Sequence, residues 1–318
     1  MKKVFCFFLC LIVYSSLLFS FDVYLSPIFE YRNLRLGEYV VLQNVYTESG
    51  DKWVLSQLEW QGEYVFDAGL STEFVFKNIS VLGKVVFGLP FKAGFMTDED
   101  FFPETNSEGK IRLGNYIYSK STIYLDHFYD LSLNLFWTPF NSNNNNDGGF
   151  KLGTSLQWKV LQFTSKNGTQ YEYDETSTLV LERFLPGKGI SYEQNVLLWW
   201  FDFSFSFPST TFLDTNVHLS YSSFWYGEGS DRHYLRDEDF LDMVKGHAAL
   251  KFCLEFLLKI KEQDLGFQFS YLIMPIETGA SAWKPARDKY YTLLTTSLGG
   301  ISARDFTASL FYQFHFEL

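Results

Sequence analysis

Apolar and polar residues alternate over most of the chain. In the stretch YDLSLNLFW, residues 129–137, the odd positions are apolar and most even positions are polar, and FDFSFSF, residues 201–207, repeats the pattern with phenylalanine. Successive side chains of a β-strand point to opposite faces of the sheet, so a period of two predicts strands with one apolar and one polar face. The same alternation recurs in residues 54–76, 252–261 and 310–318.

Turn signals between these segments divide the chain into ten predicted strands. We place the strands at about residues 21–43, 52–77, 80–97, 117–138, 150–171, 187–207, 211–228, 238–262, 265–280 and 297–318. Several are about twice as long as the strands of soluble sandwiches, which usually run about 3–10 residues. The pattern predicts an all-β fold, a ten-stranded antiparallel transmembrane β-barrel with extended extracellular strands and loops. Closure of the sheet removes the unpaired edge that lipid could not hydrogen-bond.

The composition agrees with fine interleaving of apolar and polar residues. Aromatic residues make up 20% of the 318 residues, yet the mean hydropathy is only -0.07. No apolar run of about 20 residues occurs after the N-terminal segment, which excludes a helical membrane protein. A soluble secreted β protein is an alternative, but the aromatic residues on the apolar faces argue against it.

The first twenty residues have the layout of a secretory signal. Lys2 and Lys3 precede an apolar core, and small residues follow it up to Ser20, near which we expect cleavage. We therefore expect a signal peptide at residues 1–20 and a single barrel domain at residues 21–318. Lipid attachment at Cys10 is disfavoured because no small residue precedes it. Loss of the signal leaves Cys253 as the one remaining cysteine, so the mature chain has no internal disulfide.

The formal net charge is -11 at pH 7. Nucleic acid is excluded as an expected partner, since phosphate binding requires positive charge. Cationic partners are favoured, because a negatively charged protein attracts them.

Two short polar motifs carry candidate chemistry. In FMTDEDFFP, Asp98 and Asp100 share the even positions with Lys84 and Lys92, so all four point into the barrel if the alternation persists. In SDRHY, Asp231 and His233 are two residues apart and share a face in extended backbone. Each motif alone is compatible with an ordinary solvated loop, but the topology places both at the same end of the barrel.

Other catalytic signatures are absent from the sequence. It contains no HExxH, no clustered His and Cys ligand set and no GxSxG. A metal site and serine-based catalysis are therefore disfavoured, and we predict no metal.

Four motifs resemble the omptins, a family of outer-membrane endopeptidases that depend on aspartate and histidine and are built as ten-stranded barrels. They are LGEYVVL at 36–42, SQLEW at 56–60, MTDEDFF at 96–102 and SDRHY at 230–234. The resemblance implies that the catalytic residues are Asp98, Asp100, Asp231 and His233. It further implies that Glu38 receives the basic side chain on the acyl side of the cleaved bond. Where the family has a further acidic specificity residue, this chain has Gly229, and we expect Glu228 to substitute as a second substrate-binding residue.

The resemblance also implies a function and a location. We expect an outer-membrane endopeptidase with its active site on the extracellular side, acting near basic residues of cationic polypeptides, as a monomer. We expect no cofactor besides the catalytic water. A requirement for outer-membrane lipid is left open, because Trp158 and Val160 stand near positions where the family has polar lipopolysaccharide-binding residues. The alternative is a non-enzymatic barrel on the same scaffold, either an adhesin or a narrow pore.

Overall fold

The computed structural model describes residues 21–46, 52–105, 111–139, 149–208, 210–261 and 263–317. The expected signal peptide and most of the asparagine-rich turn at residues 141–149 lie outside these ranges. The strands are β1 Asp22–Tyr46, β2 Lys52–Phe76, β3 Ile79–Gly88, β4 Lys92–Thr105, β5 Ile111–Trp137, β6 Gly149–Tyr173, β7 Leu179–Ser206, β8 Leu213–His233, β9 Glu238–Gly246, β10 Ala249–Ile260, β11 Gln263–Pro285, β12 Thr292–Leu293 and β13 Ser297–Glu317. No helix of the described residues is long and apolar enough to cross a membrane.

The strands close into one antiparallel barrel, which confirms the predicted fold class. β1 pairs with β2 on one side and with β13 on the other, so that Asp22 lies opposite Glu317. β3 and β4 together form one of the ten barrel strands, because both pair with β2 and β5. β9 and β10 form another, both pairing with β8 and β11. We call the end that holds Asp22 and Glu317 the lower end and the opposite end the upper rim.

The predicted continuous strand at residues 80–97 is interrupted in the structure. β3 ends at Gly88, and the pairing of β4 with β5 shifts between Lys92 and Gly94. At this shift Lys92 is exposed while Ala93 is fully buried, so the prediction that Lys92 shares a face with Asp98 and Asp100 is wrong. An irregularity of this kind inserts a residue into one strand and reverses the side-chain alternation. The alternation is restored before Met96, which is buried.

The outer wall carries a belt of exposed apolar side chains. Above the belt, outward positions of β1 and β13 are polar, with Asn33 and Arg35 on β1 and Arg304 on β13 exposed. An apolar band with aromatic residues is the surface that a transmembrane barrel presents to lipid. The belt includes Phe29, Phe66, Leu70, Phe87, Leu133, Leu135, Leu156, Trp158, Leu197, Trp199, Phe201, Phe203, Leu219, Tyr221, Leu250, Phe252, Phe269, Tyr271, Phe306 and Leu310.

Inside the belt, the interior is filled by an ion network around Arg32. Its guanidinium contacts Asp67 at 2.5 Å and Asp305 at 2.7 Å, and it also contacts Glu30. Lys159 adds a second cation to Asp305 at 2.6 Å. Buried charges are tolerated only when they are paired, so each carboxylate here has a cation within contact distance.

Above this network, buried apolar side chains fill the barrel up to the rim. Trp60 has no exposed surface and stacks on Tyr192 with 5.5 Å between ring centroids. Trp60 also stacks on Phe163 at 6.3 Å. The same buried cluster includes Leu34, Leu36, Val196, Leu198, Trp200, Trp225 and Ile301. This apolar layer separates the Arg32 network from the upper rim.

Candidate active site

β4 delivers two carboxyl groups to the upper rim. Asp98 lies between Leu58 of β2 and Ser119 of β5, and Asp100 lies two residues further along the same face. Both side chains line one cleft of about 240 Å³. The sequence predicted that these two aspartates point inward, and the structure places them so.

β8 delivers the second pair to the same cleft. Its burial alternates from Trp225 to His233, with odd positions buried, so Asp231 and His233 both face inward. His233 donates a hydrogen bond from Nε2 to Asp231. His233 also lines the cleft that holds Asp98 and Asp100. Three of the four predicted catalytic residues therefore share this cleft, and the fourth, Asp231, is hydrogen-bonded to His233.

The other ring nitrogen of His233 has a partner as well. Arg236 Nη2 lies 2.6 Å from Nδ1. A guanidinium can only donate, so Nδ1 accepts and Nε2 carries the proton that is given to Asp231. Asp231 thus fixes the ring so that Nδ1 is the basic nitrogen, and this nitrogen lies on the side of Arg236.

The carboxyl group of Asp98 has a raised pKa, so it can hold a proton near neutral pH. Burial, followed by repulsion from Asp100, raises the pKa of its carboxyl to about 7, while His233 and Arg236 oppose the change. Asp98 Oδ1 is buried without a hydrogen-bond partner. Two carboxyl groups so placed resist simultaneous ionisation, so Asp98 holds a proton near neutral pH more readily than an ordinary aspartate does.

Glu38 lies behind Asp231 rather than in the cleft. It is 4% exposed and shares a hydrogen bond with Asp231. Burial, followed by repulsion from Asp231 and Asp242, raises the pKa of Glu38 well above its usual range. Glu38 Oε2 has no hydrogen-bond partner. A buried carboxyl without a cation is costly to ionise, which agrees with the raised pKa.

The structure does not bring Glu228 to this site. The alternation along β8 places Glu228 on the outer face, opposite to Asp231 and His233. There it accepts a hydrogen bond from Tyr226 Oη at 2.7 Å. The reason is parity: Glu228 differs by an odd number of positions from both inward residues, and β8 contains no irregularity between them.

Asp242 is a residue of the site that sequence reasoning missed. It lies on β9, is 3% exposed, and interacts with both Glu38 and Asp231. Its side chain faces inward because it pairs with Gly229, which is on the inward face of β8. Alternation within residues 238–246 could have identified the face, but only the pairing of β8 with β9 reveals the neighbours.

Among the described residues, one group has the spacing of metal ligands. It consists of Asp22, His315 and Glu317 at the lower end. It is separated from the cleft by the length of the barrel, so the catalytic candidates at the upper rim do not belong to it.

Comparison with known proteins gives a family and a fold. Residues 41–316 match the model of the omptin family. The outer membrane protease OmpT from Escherichia coli is similar in structure, with a TM-score of 0.77, 14% identity, and coverage of 93% of this chain and 97% of that chain. OprG from Pseudomonas aeruginosa is much less similar, with a TM-score of 0.29, 9% identity, and coverage of 93% and 96%. The comparison with curated proteins found no match.

Proposed function

Because the chain belongs to the omptin family, we propose that it is an outer-membrane endopeptidase whose active site is the cleft at the upper rim. The observation that carries the proposal is the convergence of Asp98, Asp100 and His233 on one cleft, with Asp231 bonded to His233. The similarity in fold to a protein described as an outer membrane protease supports it.

The chemistry follows from the two polar pairs. A neutral histidine, with a reference pKa of about 6.5, is a stronger base than an exposed aspartate at about 3.9. Asp231 holds the Nε2 proton of His233 and stabilises the charged ring that forms. Nδ1 then takes a proton from a water that lies between His233 and Asp98, once Arg236 has moved from it.

The activated water attacks the carbonyl carbon of the scissile bond directly. Asp100 maintains the raised pKa of Asp98, so that the pair holds one proton beside the developing oxyanion. The proton on His233 passes to the leaving amine. In this scheme no acyl-enzyme forms, and neither a metal nor a cofactor takes part.

The substrate is a polypeptide that carries positive charge near the cleaved bond. Glu38 is buried without a cation of its own and supplies the receptor for a basic side chain. The net charge of -11 attracts cationic chains toward the rim. The upper rim lies above the apolar belt, and we propose that it faces the outside of the cell, with the protein acting as a monomer.

A narrow pore on the same scaffold is the competing function. The apolar layer around Trp60 and the Arg32 network both occupy the interior of the barrel. An interior packed with side chains is characteristic of small barrels that do not conduct. Planar-bilayer conductance, measured on the same preparation as peptidase activity, separates the two functions.

The decisive experiment is peptidase activity of refolded protein in detergent with outer-membrane lipid. A fluorogenic peptide containing arginine is the substrate, and His233→Ala and Asp98→Asn are each expected to lose at least about a hundredfold in kcat/KM. His127→Ala, which removes a histidine that contacts Glu193 away from the cleft, is the matched control and retains activity. Near wild-type rates for either cleft variant contradict the proposal.

A further inference from the structure

The strand β7 continues above the upper rim without a neighbour on one side. Its pairing with β8 ends where Ile190 lies opposite His233, and beyond that pair the backbone N–H of Tyr234 donates to the carbonyl of Gly189 at 2.9 Å. Within the part of the chain that the structure describes, residues 179–185 pair with β6 only. We call residues 179–185 the open edge.

The open edge is apolar and exposed. Its sequence is LVLERFL, in which five of the seven residues are apolar and only Glu182 and Arg183 are charged. Residues 179–184 are all exposed, so the alternation of buried and exposed positions in the lower part of β7 stops here. Val180 is 65% exposed and Phe184 is 62% exposed. Alternate backbone N–H and C=O groups of a strand edge lack partners, and such an edge is a template for another extended chain.

The open edge belongs to the same wall of the cleft as Asp98. Asp98 lies opposite Ser119 on β5, which lies opposite Gln170 on β6. Gln170 lies opposite Arg183 on the open edge, and its amide oxygen accepts a hydrogen bond from the Arg183 guanidinium at 2.9 Å. Arg183 and Leu185 both line the cleft that holds Asp98. Neighbouring strands are about 4.8 Å apart, so the three steps from Asp98 to the open edge cover about 14 Å.

Resting on the proposed function, we propose that the open edge is a binding surface for the polypeptide substrate. A segment that lies about four or more residues from the cleaved bond adds to β7 as a further strand, and its backbone groups pair with those of the edge. Four extended residues span about 14 Å, which matches the separation of Asp98 from the edge across the wall. The exposed side chains of Leu181 and Phe184 supply apolar surface for the side chains of the segment.

The position of the open edge favours the substrate over a second copy of the chain. A second copy paired with this edge would obstruct the side of the cleft that Arg183 and Leu185 line. A substrate segment on the edge instead continues into the cleft. Because only extended backbone can pair with a strand edge, the preferred substrates are unfolded segments or long loops, and short peptides are cleaved less efficiently.

The test compares a core peptide, which has three residues on each side of the cleaved bond, with two extended peptides. Each extended peptide carries six more residues, alternating threonine and valine, at its N-terminus or at its C-terminus. These residues carry no charge and favour extended backbone. Extension at one of the two ends is expected to raise kcat/KM about tenfold, because several hydrogen bonds are gained. No gain at either end overturns the proposal.

N-methylation of the effective extension distinguishes backbone pairing from side-chain contact. Only alternate N–H groups of an added strand point toward β7. Methylation of one alternate set is expected to abolish the gain in kcat/KM, whereas methylation of the other set preserves it. Equal results for the two sets overturn the proposal, because side-chain contact alone does not depend on which N–H groups are free.

Proline substitutions remove the corresponding donors from the protein. Of the adjacent residues Leu181 and Glu182, one directs its N–H toward β6 and the other toward the open side, where an edge strand tolerates proline. Circular dichroism identifies which of Leu181→Pro and Glu182→Pro folds, and that variant is expected to lose the preference for the extended over the core peptide. Lys289→Pro, in the exposed loop after β11, is the control and retains the preference. If neither edge variant refolds, the methylated peptides decide.

The outcomes separate the two proposals. If the wild type cleaves neither the core nor the extended peptides, the proposed function fails and the role of the open edge fails with it. If the wild type cleaves the core peptide and extension brings no gain, only the role of the open edge is overturned. A wild type that sediments as a dimer, together with a monomeric proline variant and an unchanged ratio of the two peptides, assigns the edge to a second copy and also overturns the proposal.

Discussion

Arg236 donates a hydrogen bond to His233 Nδ1, the nitrogen that Asp231 leaves free to act as a base. The resting site therefore holds a cation at the position that the proposed mechanism gives to the water. The side chain of Arg236 is 53% exposed, so little packing opposes its movement. A basic substrate bound to the neighbouring carboxyls would repel the guanidinium from this position.

Replacement of Arg236 by alanine is expected to raise kcat by a few-fold, because Nδ1 no longer has to be uncovered. Arg236 also lowers the pKa of Asp98, so its loss moves that pKa above about 7. The limb of the pH profile that reports Asp98 then shifts to higher pH. Steady-state kinetics from pH 5 to 9 measure both effects. Arg232→Ala, on the outer face of β8, is the control. A fall in kcat for Arg236→Ala would contradict the prediction, because it would show that Arg236 promotes catalysis.

Asp100→Asn tests the coupling within the β4 pair. Repulsion from Asp100 is the second cause of the raised pKa of Asp98, after burial. Removal of this charge favours the ionised form of Asp98, so its pKa falls and the corresponding limb of the pH profile moves to lower pH by roughly one unit. The measurement is kcat/KM against pH. Glu99→Gln, which lies on the opposite face of β4, leaves the profile in place, and an unshifted profile for Asp100→Asn would disprove the coupling.

Gly94→Ala is expected to destabilise the barrel and to reduce activity. Gly94 has a φ of 157°, and a Cβ there would meet the carbonyl oxygen of Gln61 at 2.0 Å. The strand that carries Asp98 must then shift, at a cost of roughly 1–3 kcal/mol. Urea unfolding followed by tryptophan fluorescence measures the change in free energy. Gly83→Ala has nothing within 4 Å of the added Cβ and serves as the control; equal stability of the two variants would contradict the assignment of strain.

Arg32→Met tests the ion network inside the belt. The substitution leaves Glu30, Asp67 and Asp305 buried with less compensation, and breaking such a pair costs about 3–5 kcal/mol. The free energy of unfolding should fall by that amount in the same urea assay. Arg35→Met removes the same charge from an exposed position on β1 and is expected to have little effect. A stable Arg32→Met barrel would show that the network is dispensable.

The fold could be predicted from the sequence because the side-chain period of two is visible in nearly every strand. Parity predicted only that Asp231 and His233 share one face of a strand, and the structure shows that this face points inward. The aim of Asp98 was predicted correctly, although the strand is interrupted after Gly88 and Lys92 lies on the other face. The alternation of apolar and polar residues does not show where a strand is interrupted or where it resumes.

The neighbours of the site could not be predicted by parity alone. Asp242 reaches the site because it pairs with Gly229, and pairing depends on register, which is a property of two strands together. Glu228 was chosen for its closeness to Gly229 in sequence, but adjacent residues of a strand face apart. The contact between Arg236 and His233 could not be predicted either, because it depends on the conformation of the loop that joins β8 and β9.

The apolar layer beneath the rim makes the cleft a dead end. A molecule that enters the cleft from the upper rim cannot leave toward the lower end, because Trp60, Tyr192 and Phe163 fill the barrel interior below the cleft. Both fragments of a cleaved polypeptide must therefore back out through the mouth by which the intact chain arrived. Fragments that end in a basic residue would linger at the acidic wall, and accumulated product would slow the enzyme by occupying its entrance.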